Sequence, residues 1–158
     1  MKDAILSVLQ RHPFVEEFQP QHIEKLASMA TRVRFDRDQV IFREGEDCSD
    51  FFLIVSGLVA LEIAAPGHTF RVQTLSSGDE LGWSALLMAR GKLFQARALE
   101  RVEALALDGG DLLTACKQDT LFGFVLMHRL LGVLSERLQA TRLQVLDTYS
   151  PAAKRAGA

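Results

Sequence analysis

The sequence predicts an α+β domain with short N-terminal helices, a small antiparallel barrel or jelly roll, and a long C-terminal helix. Three observations carry that prediction. The hydrophobic period switches from helical spacing to two at Thr31. Short alternating segments follow, each closed by turn residues. From Gln118 to Tyr149 the chain is mostly strong helix former and contains no proline. A length of 158 residues, with 48% hydrophobic and 24% charged positions, fits one domain able to bury its own core.

The first helix rests on Ala4, Ile5, Val8 and Leu9, with Asp3 as its expected cap, and His12-Pro13 interrupts it. Pro20 suits the first turn of a second short helix that faces Ile23, Leu26 and Ala27 inward. Val33 and Phe35 then alternate with Arg32 and Arg34, and Val40 and Phe42 follow a polar Asp36-Arg37-Asp38 turn. Val59, Leu61 and Ile63 precede the hairpin signal Pro66-Gly67, Phe70, Val72 and Thr74 follow it, and Ser76-Ser77-Gly78 closes that strand. Two further strands are expected over Gln95 to Leu99 and Glu103 to Leu107. In the last third, Met127, Leu131, Leu134, Leu138, Thr141 and Val145 recur at heptad steps, the pattern of a helix–helix dimer seam. Leu126, Leu130, Leu143 and Leu146 widen the apolar surface beyond that seam. The expected organisation is one domain over residues 1–150, with a barrel core over 26–115, the C-terminal helix over 118–149 and a flexible tail over 151–158.

Composition excludes several function classes. The formal net charge is −2, against a protein whose main business is a phosphate backbone. Two cysteines, Cys48 and Cys116, form neither a disulfide framework nor a cluster site, so a reducing cytoplasm is the expected compartment. No signal peptide is visible, and the densest apolar run, Phe51 to Val55, is far too short to span a bilayer. The four histidines are scattered, which argues against a metal-binding barrel enzyme. No nucleophile elbow or phosphate-binding Walker loop occurs. The reading is non-enzymatic, with no catalytic residue, no metal and no resident cofactor.

Two runs carry a resemblance. Val40 to Gly57, VIFREGEDCSDFFLIVSG, places two glycines at the ends of a polar connection and a buried apolar strand. Leu75 to Leu87, LSSGDELGWSALL, joins a strand to a short helical turn through Gly78-Asp79 and Gly82. The first run resembles the leading signature of cyclic-nucleotide-binding domains, and the second resembles the entry to their phosphate-binding cassette. Arg137 to Thr141 is similar to the middle of the long helix in catabolite-activator-type regulators. The resemblance implies an eight-stranded jelly roll, a homodimer formed through the C-terminal helix, and an anionic cyclic nucleotide as effector.

By that resemblance the ligand contacts fall on Gly82, Trp83, Ser84, Ala85, Arg90, Lys92, Leu93, Arg97, Thr141 and Arg142. The chemistry there departs from the family pattern. Trp83 stands where the family has the glutamate that accepts the ribose hydroxyl. Lys92 stands where it has the phosphate-binding arginine, and Leu93 replaces the following hydroxyl residue. Tryptophan offers only an N–H donor, and lysine lacks the bidentate fork. These losses cost roughly 2–5 kcal/mol, or about 30- to 5,000-fold in affinity, which argues against tight cAMP binding.

Two readings stand beside the sensor. One is a structural or protein-interaction module whose pocket is plugged by Trp83. The other is a haem or redox sensor using such residues as His68 or Cys48. The tail after Tyr149 is too short for a helix-turn-helix, so the expectation is a stand-alone module or a truncated regulator without direct nucleic-acid or membrane contacts.

Overall fold

The computed structural model describes residues 2–86 and 94–149. Two short helices, α1 (Lys2–Gln10) and α2 (Pro20–Met29), precede eight strands, and two helices, α3 (Gly109–Gln118) and α4 (Thr120–Tyr149), close the chain. The strands are β1 (Ala30–Phe35), β2 (Val40–Phe42), β3 (Asp50–Ser56), β4 (Val59–Ala65), β5 (His68–Leu75), β6 (Glu80–Leu81), β7 (Gln95–Ala98) and β8 (Val102–Asp108). They form two four-stranded antiparallel sheets, ordered β1-β8-β3-β6 and β2-β7-β4-β5, which is the expected jelly roll. No helix among the described residues is long and apolar enough to cross a membrane. The chain divides into two compact units, Met1–Gly123 and Phe124–Ala158.

Within the first unit the turns sit where local chemistry puts them. Asp38 and Gly67 adopt φ of 69° and 87°, and Gly67 directly follows Pro66, the signature of a type II turn. Gly45 and Gly57, the two glycines of the leading signature, take φ of 81° and 96°, a region that disfavours a Cβ. Between Phe42, where β2 ends, and Asp50, where β3 begins, the chain makes the polar connection that the signature implied.

β3 shows no alternation because both of its faces are buried. Phe52 and Ile54 join Phe42, Val59, Leu61, Leu75, Leu81 and small residues of β7 and β8 inside the roll. Phe51 and Leu53 point the other way with Leu105 and Leu107 of β8, and all four are at most 1% exposed. Helices cover that outer face. Phe14, in a one-turn 3-10 segment after α1, lies 5.6 Å from the Phe51 ring, and α2 and α3 pack on β8. Burial at this level makes the sheet the rigid floor on which the next segments are set.

Helix ends follow capping chemistry, with three differences from the sequence reading. Asp3 lies inside the first turn of α1 rather than ahead of it, where its charge still complements the helix dipole. The stretch Gly109–Gln118, whose first seven residues fall within the 26–115 range read as barrel core, is a helix. The Asp108 carboxylate accepts from the Asp111 amide at 2.9 Å and starts it despite the unfavourable Gly109-Gly110 pair. The long helix begins at Thr120, not Gln118, because Asp119 ends α3 and accepts from the Phe122 amide at 3.1 Å. That hydrogen bond, helped by Lys25 at 3.4 Å, holds the Asp119 carboxyl below its ordinary range.

The described part of the second unit is α4 from Phe124 onward. Leu131 and Leu138 are 65% and 72% exposed, Thr141 and Val145 are exposed, and Met127 and Leu134 are half-buried. Phe124 stacks on His128 at 5.7 Å between ring centroids.

Candidate functional site

The site is built from β5, β6 and the turn after them. β5 ends at Leu75, and the Ser76 amide donates to the Asp79 carboxylate at 2.8 Å while the Asp79 amide returns to the Ser76 carbonyl at 3.0 Å. Gly78, with φ of 92°, donates its amide to the Ile54 carbonyl at 3.0 Å, and Ile54 donates back to Asp79 at 2.9 Å. This closed turn ties the approach of the cassette to the doubly buried strand β3. Glu80 and Leu81 then pair with Leu53 and Phe52. Gly82 turns the chain with φ of 81° into a 3-10 turn over Trp83–Leu86, whose Ala85 amide donates to the Gly82 carbonyl at 3.0 Å.

Leu86 is buried and anchors this turn, while Trp83, Ser84 and Ala85 are half-buried. Trp83 is therefore not sealed in the core of the roll. The turn also rests on α3. A Cβ added to Gly109 would lie 2.6 Å from the Ala85 carbonyl oxygen and 3.0 Å from the Ala85 carbonyl carbon, so the two backbones touch directly. Gly109 is a positioning residue that the sequence reading did not single out. Nothing in a Gly-Gly pair at a strand end reveals which distant carbonyl approaches it.

The sequence-predicted residues distribute unevenly. Gly82, Trp83, Ser84 and Ala85 come together in one turn. Arg90, Lys92 and Leu93 lie outside the described residues. Phe94, where the description resumes, packs against the core of the roll. Arg97 sits between Ala96 and Ala98, both core residues, and so belongs to the opposite face of β7. There its Nη2 donates to the Glu62 carboxylate, and Gln95 Nε2 donates to the same carboxylate at 3.2 Å. Glu62 is 4% exposed, and the Arg97 Nε is buried without a partner among the described residues. Sequence reasoning passed over Glu62, although a lone acid within the Val59, Leu61, Ile63 alternation was a visible signal. Thr141, on α4, donates its hydroxyl to the Arg137 carbonyl at 2.9 Å and is exposed, as is Arg142. His68 stacks edge-on against Phe70 at 4.4 Å, and Cys48 is half-buried against the core of the roll. Among the described residues no group of three or more His, Cys, Asp or Glu is arranged to hold a metal ion.

A family model described as the cyclic nucleotide-binding domain matches residues 32–119, more than half of the chain. The chain belongs to the cyclic nucleotide-binding domain family. The match takes in both glycine-bounded runs and the whole strand framework from β2 to β8. Among solved structures, a cyclic nucleotide-binding domain from Methylobacillus flagellatus superposes with a TM-score of 0.80 at 18% identity, covering 93% of this chain and 83% of that one. The catabolite activator protein of Thermus thermophilus gives 0.72 at 26% identity, covering 87% of this chain and 63% of that one. A curated relative, described as a candidate potassium channel protein of Rhodopseudomonas palustris, is 26% identical over 106 residues, 67% of this chain. This chain spans about a quarter of that relative's length, 26%.

Proposed function

We propose that this cyclic nucleotide-binding domain is a sensory module that takes a cyclic nucleotide or related small anion in the cassette opened by Gly82. The observation that carries the reading is the Gly82 turn itself. Its φ of 81° and the helical turn over Trp83–Leu86 support a phosphate-cradling entry of the kind that the resemblance of the Leu75–Leu87 run implies. In this reading the phosphate lies on the backbone of the turn, with Lys92 and Arg90 as the cations and Ser84 as a hydroxyl contact. Arg97 spends Nη2 on Glu62 and keeps further N–H donors, so its ion pair orients the guanidinium that the reading assigns to the ligand contacts. Occupancy is transmitted to a partner through the C-terminal helix, the element that carries Thr141 and Arg142. Two copies pair along the heptad seam of that helix. Trp83 and Lys92 make the module a weak cAMP binder, tuned to another anion or to a higher effector concentration.

Calorimetry with cAMP and cGMP tests the assignment. The wild-type chain is expected to bind cAMP no more tightly than the millimolar range. The double variant Trp83→Glu, Lys92→Arg restores the carboxylate and the fork and is expected to gain about 30-fold or more. No heat from either form, with both shown to be folded by circular dichroism, overturns the cassette as a nucleotide site.

A further inference from the structure

A cavity of about 210 Å³, partly open to solvent, lies between the end of α1 and the Ser76–Asp79 turn. It is smaller than the roughly 300–1,000 Å³ of drug-sized sites and equals the liquid volume of about seven waters. Val8, Pro13 and Val55 line it beside Arg11, His12, Ser77 and Gly78.

The polar inventory selects the guest. Arg11 Nη2 donates to the Ser7 hydroxyl at 3.1 Å, and no carboxylate among the described residues lies within ion-pair distance of the guanidinium. Most of its five N–H donors remain for a ligand. The Ser77 hydroxyl is spent on the Val55 carbonyl at 2.8 Å. His12 also lines the cavity, but both its ring nitrogens are engaged, with the Ile54 carbonyl at 2.9 Å and the Phe14 amide at 3.2 Å. Arg11 is thus the one cationic lining residue, with uncommitted N–H donors beside the apolar Val8, Pro13 and Val55.

We propose that this cavity is a second binding site, for a small organic monocarboxylate whose carboxylate meets Arg11 and whose carbon skeleton lies on Val8, Pro13 and Val55. The site is independent of the cassette ligand. Its occupant touches both the end of α1 and the turn that feeds Gly82. Gly78 keeps that turn close, since a Cβ there would stand 3.1 Å from the Pro13 ring.

Amide NMR of the full chain titrated with benzoate tests this, with the uncharged isostere benzamide as control. Saturable benzoate shifts are expected at Val8, Ser77 and Gly78, with benzamide weaker by about tenfold or more. Arg11→Gln, an exposed substitution, is expected to weaken benzoate by a similar factor, and Val8→Phe to abolish binding by filling the space while the cation stays. Absence of saturable shifts at these residues overturns the proposal. So do equal responses to benzoate and benzamide, or an Arg11→Gln chain that binds like wild type.

Discussion

Gly45 and Gly57 look equivalent in the sequence, yet their environments separate two physical effects. Both hold φ in the left-handed region, where a side chain costs roughly 1–2 kcal/mol. Around Gly45 there is open space, with nothing within 4 Å of an added Cβ. At Gly57 that atom would meet the Arg101 carbonyl oxygen at 2.4 Å and Val102 Cα at 2.8 Å, and backbone cannot move aside cheaply. Overpacking adds roughly 1–3 kcal/mol to the backbone strain. Gly45→Ala is expected to lower urea-measured stability by about 1–2 kcal/mol and Gly57→Ala by about 2–5 kcal/mol. Equal losses would show that conformational strain alone sets both positions. The same distinction applies to Trp83 and Arg97. Residue identity announced an indole and a cation, but only the half-burial of one and the Glu62 partner of the other define what each is free to do.

At the scale of elements, the C-terminal helix carries the clearest unspent surface. Phe124, Leu131, Leu138 and Val145 recur every seven residues and are 67%, 65%, 72% and 47% exposed. Scattered exposed leucines are ordinary, but an apolar row sustained over three heptads is the surface that the proposed pairing uses. The sequence reading of this seam began at Met127, and its period extends one step earlier to Phe124. Leu138 faces solvent, so charging it leaves this chain's own packing untouched. Leu138→Glu is expected to convert a dimer to a monomer in sedimentation equilibrium with the barrel's thermal transition retained. A wild-type chain that sediments as a monomer, or a variant that stays dimeric, removes the seam from the proposed function.

At the scale of the whole first unit, the cassette is seated from two directions. The Ser76–Asp79 turn holds it to β3, and Gly109 holds it to the start of α3. Because the atom facing Gly109 is backbone, a methyl group there forces the 3-10 turn or the helix to shift. Gly109→Ala is expected to cost about 1–3 kcal/mol in chemical denaturation and to reduce cyclic-nucleotide heat further in the Trp83→Glu, Lys92→Arg background. Unchanged stability would show that the contact relaxes freely and does not position the cassette.

What the sequence determined by itself was whatever depends on a residue and its near neighbours. Alternation located the main strands, turn glycines and Pro66 located the connections, and the proline-free run located the long helix. The glycine-bounded runs were enough to place the chain's fold before any coordinate. The tertiary structure decided which partners meet across long separations. It paired Arg97 with Glu62 across 35 residues, joined His12 to the Ile54 carbonyl across 42, and set Gly109 against Ala85. It also decided that β3 is buried on both faces. Periodicity and φ preference are local properties, whereas register and close approach arise only when the two sheets and their covering helices pack.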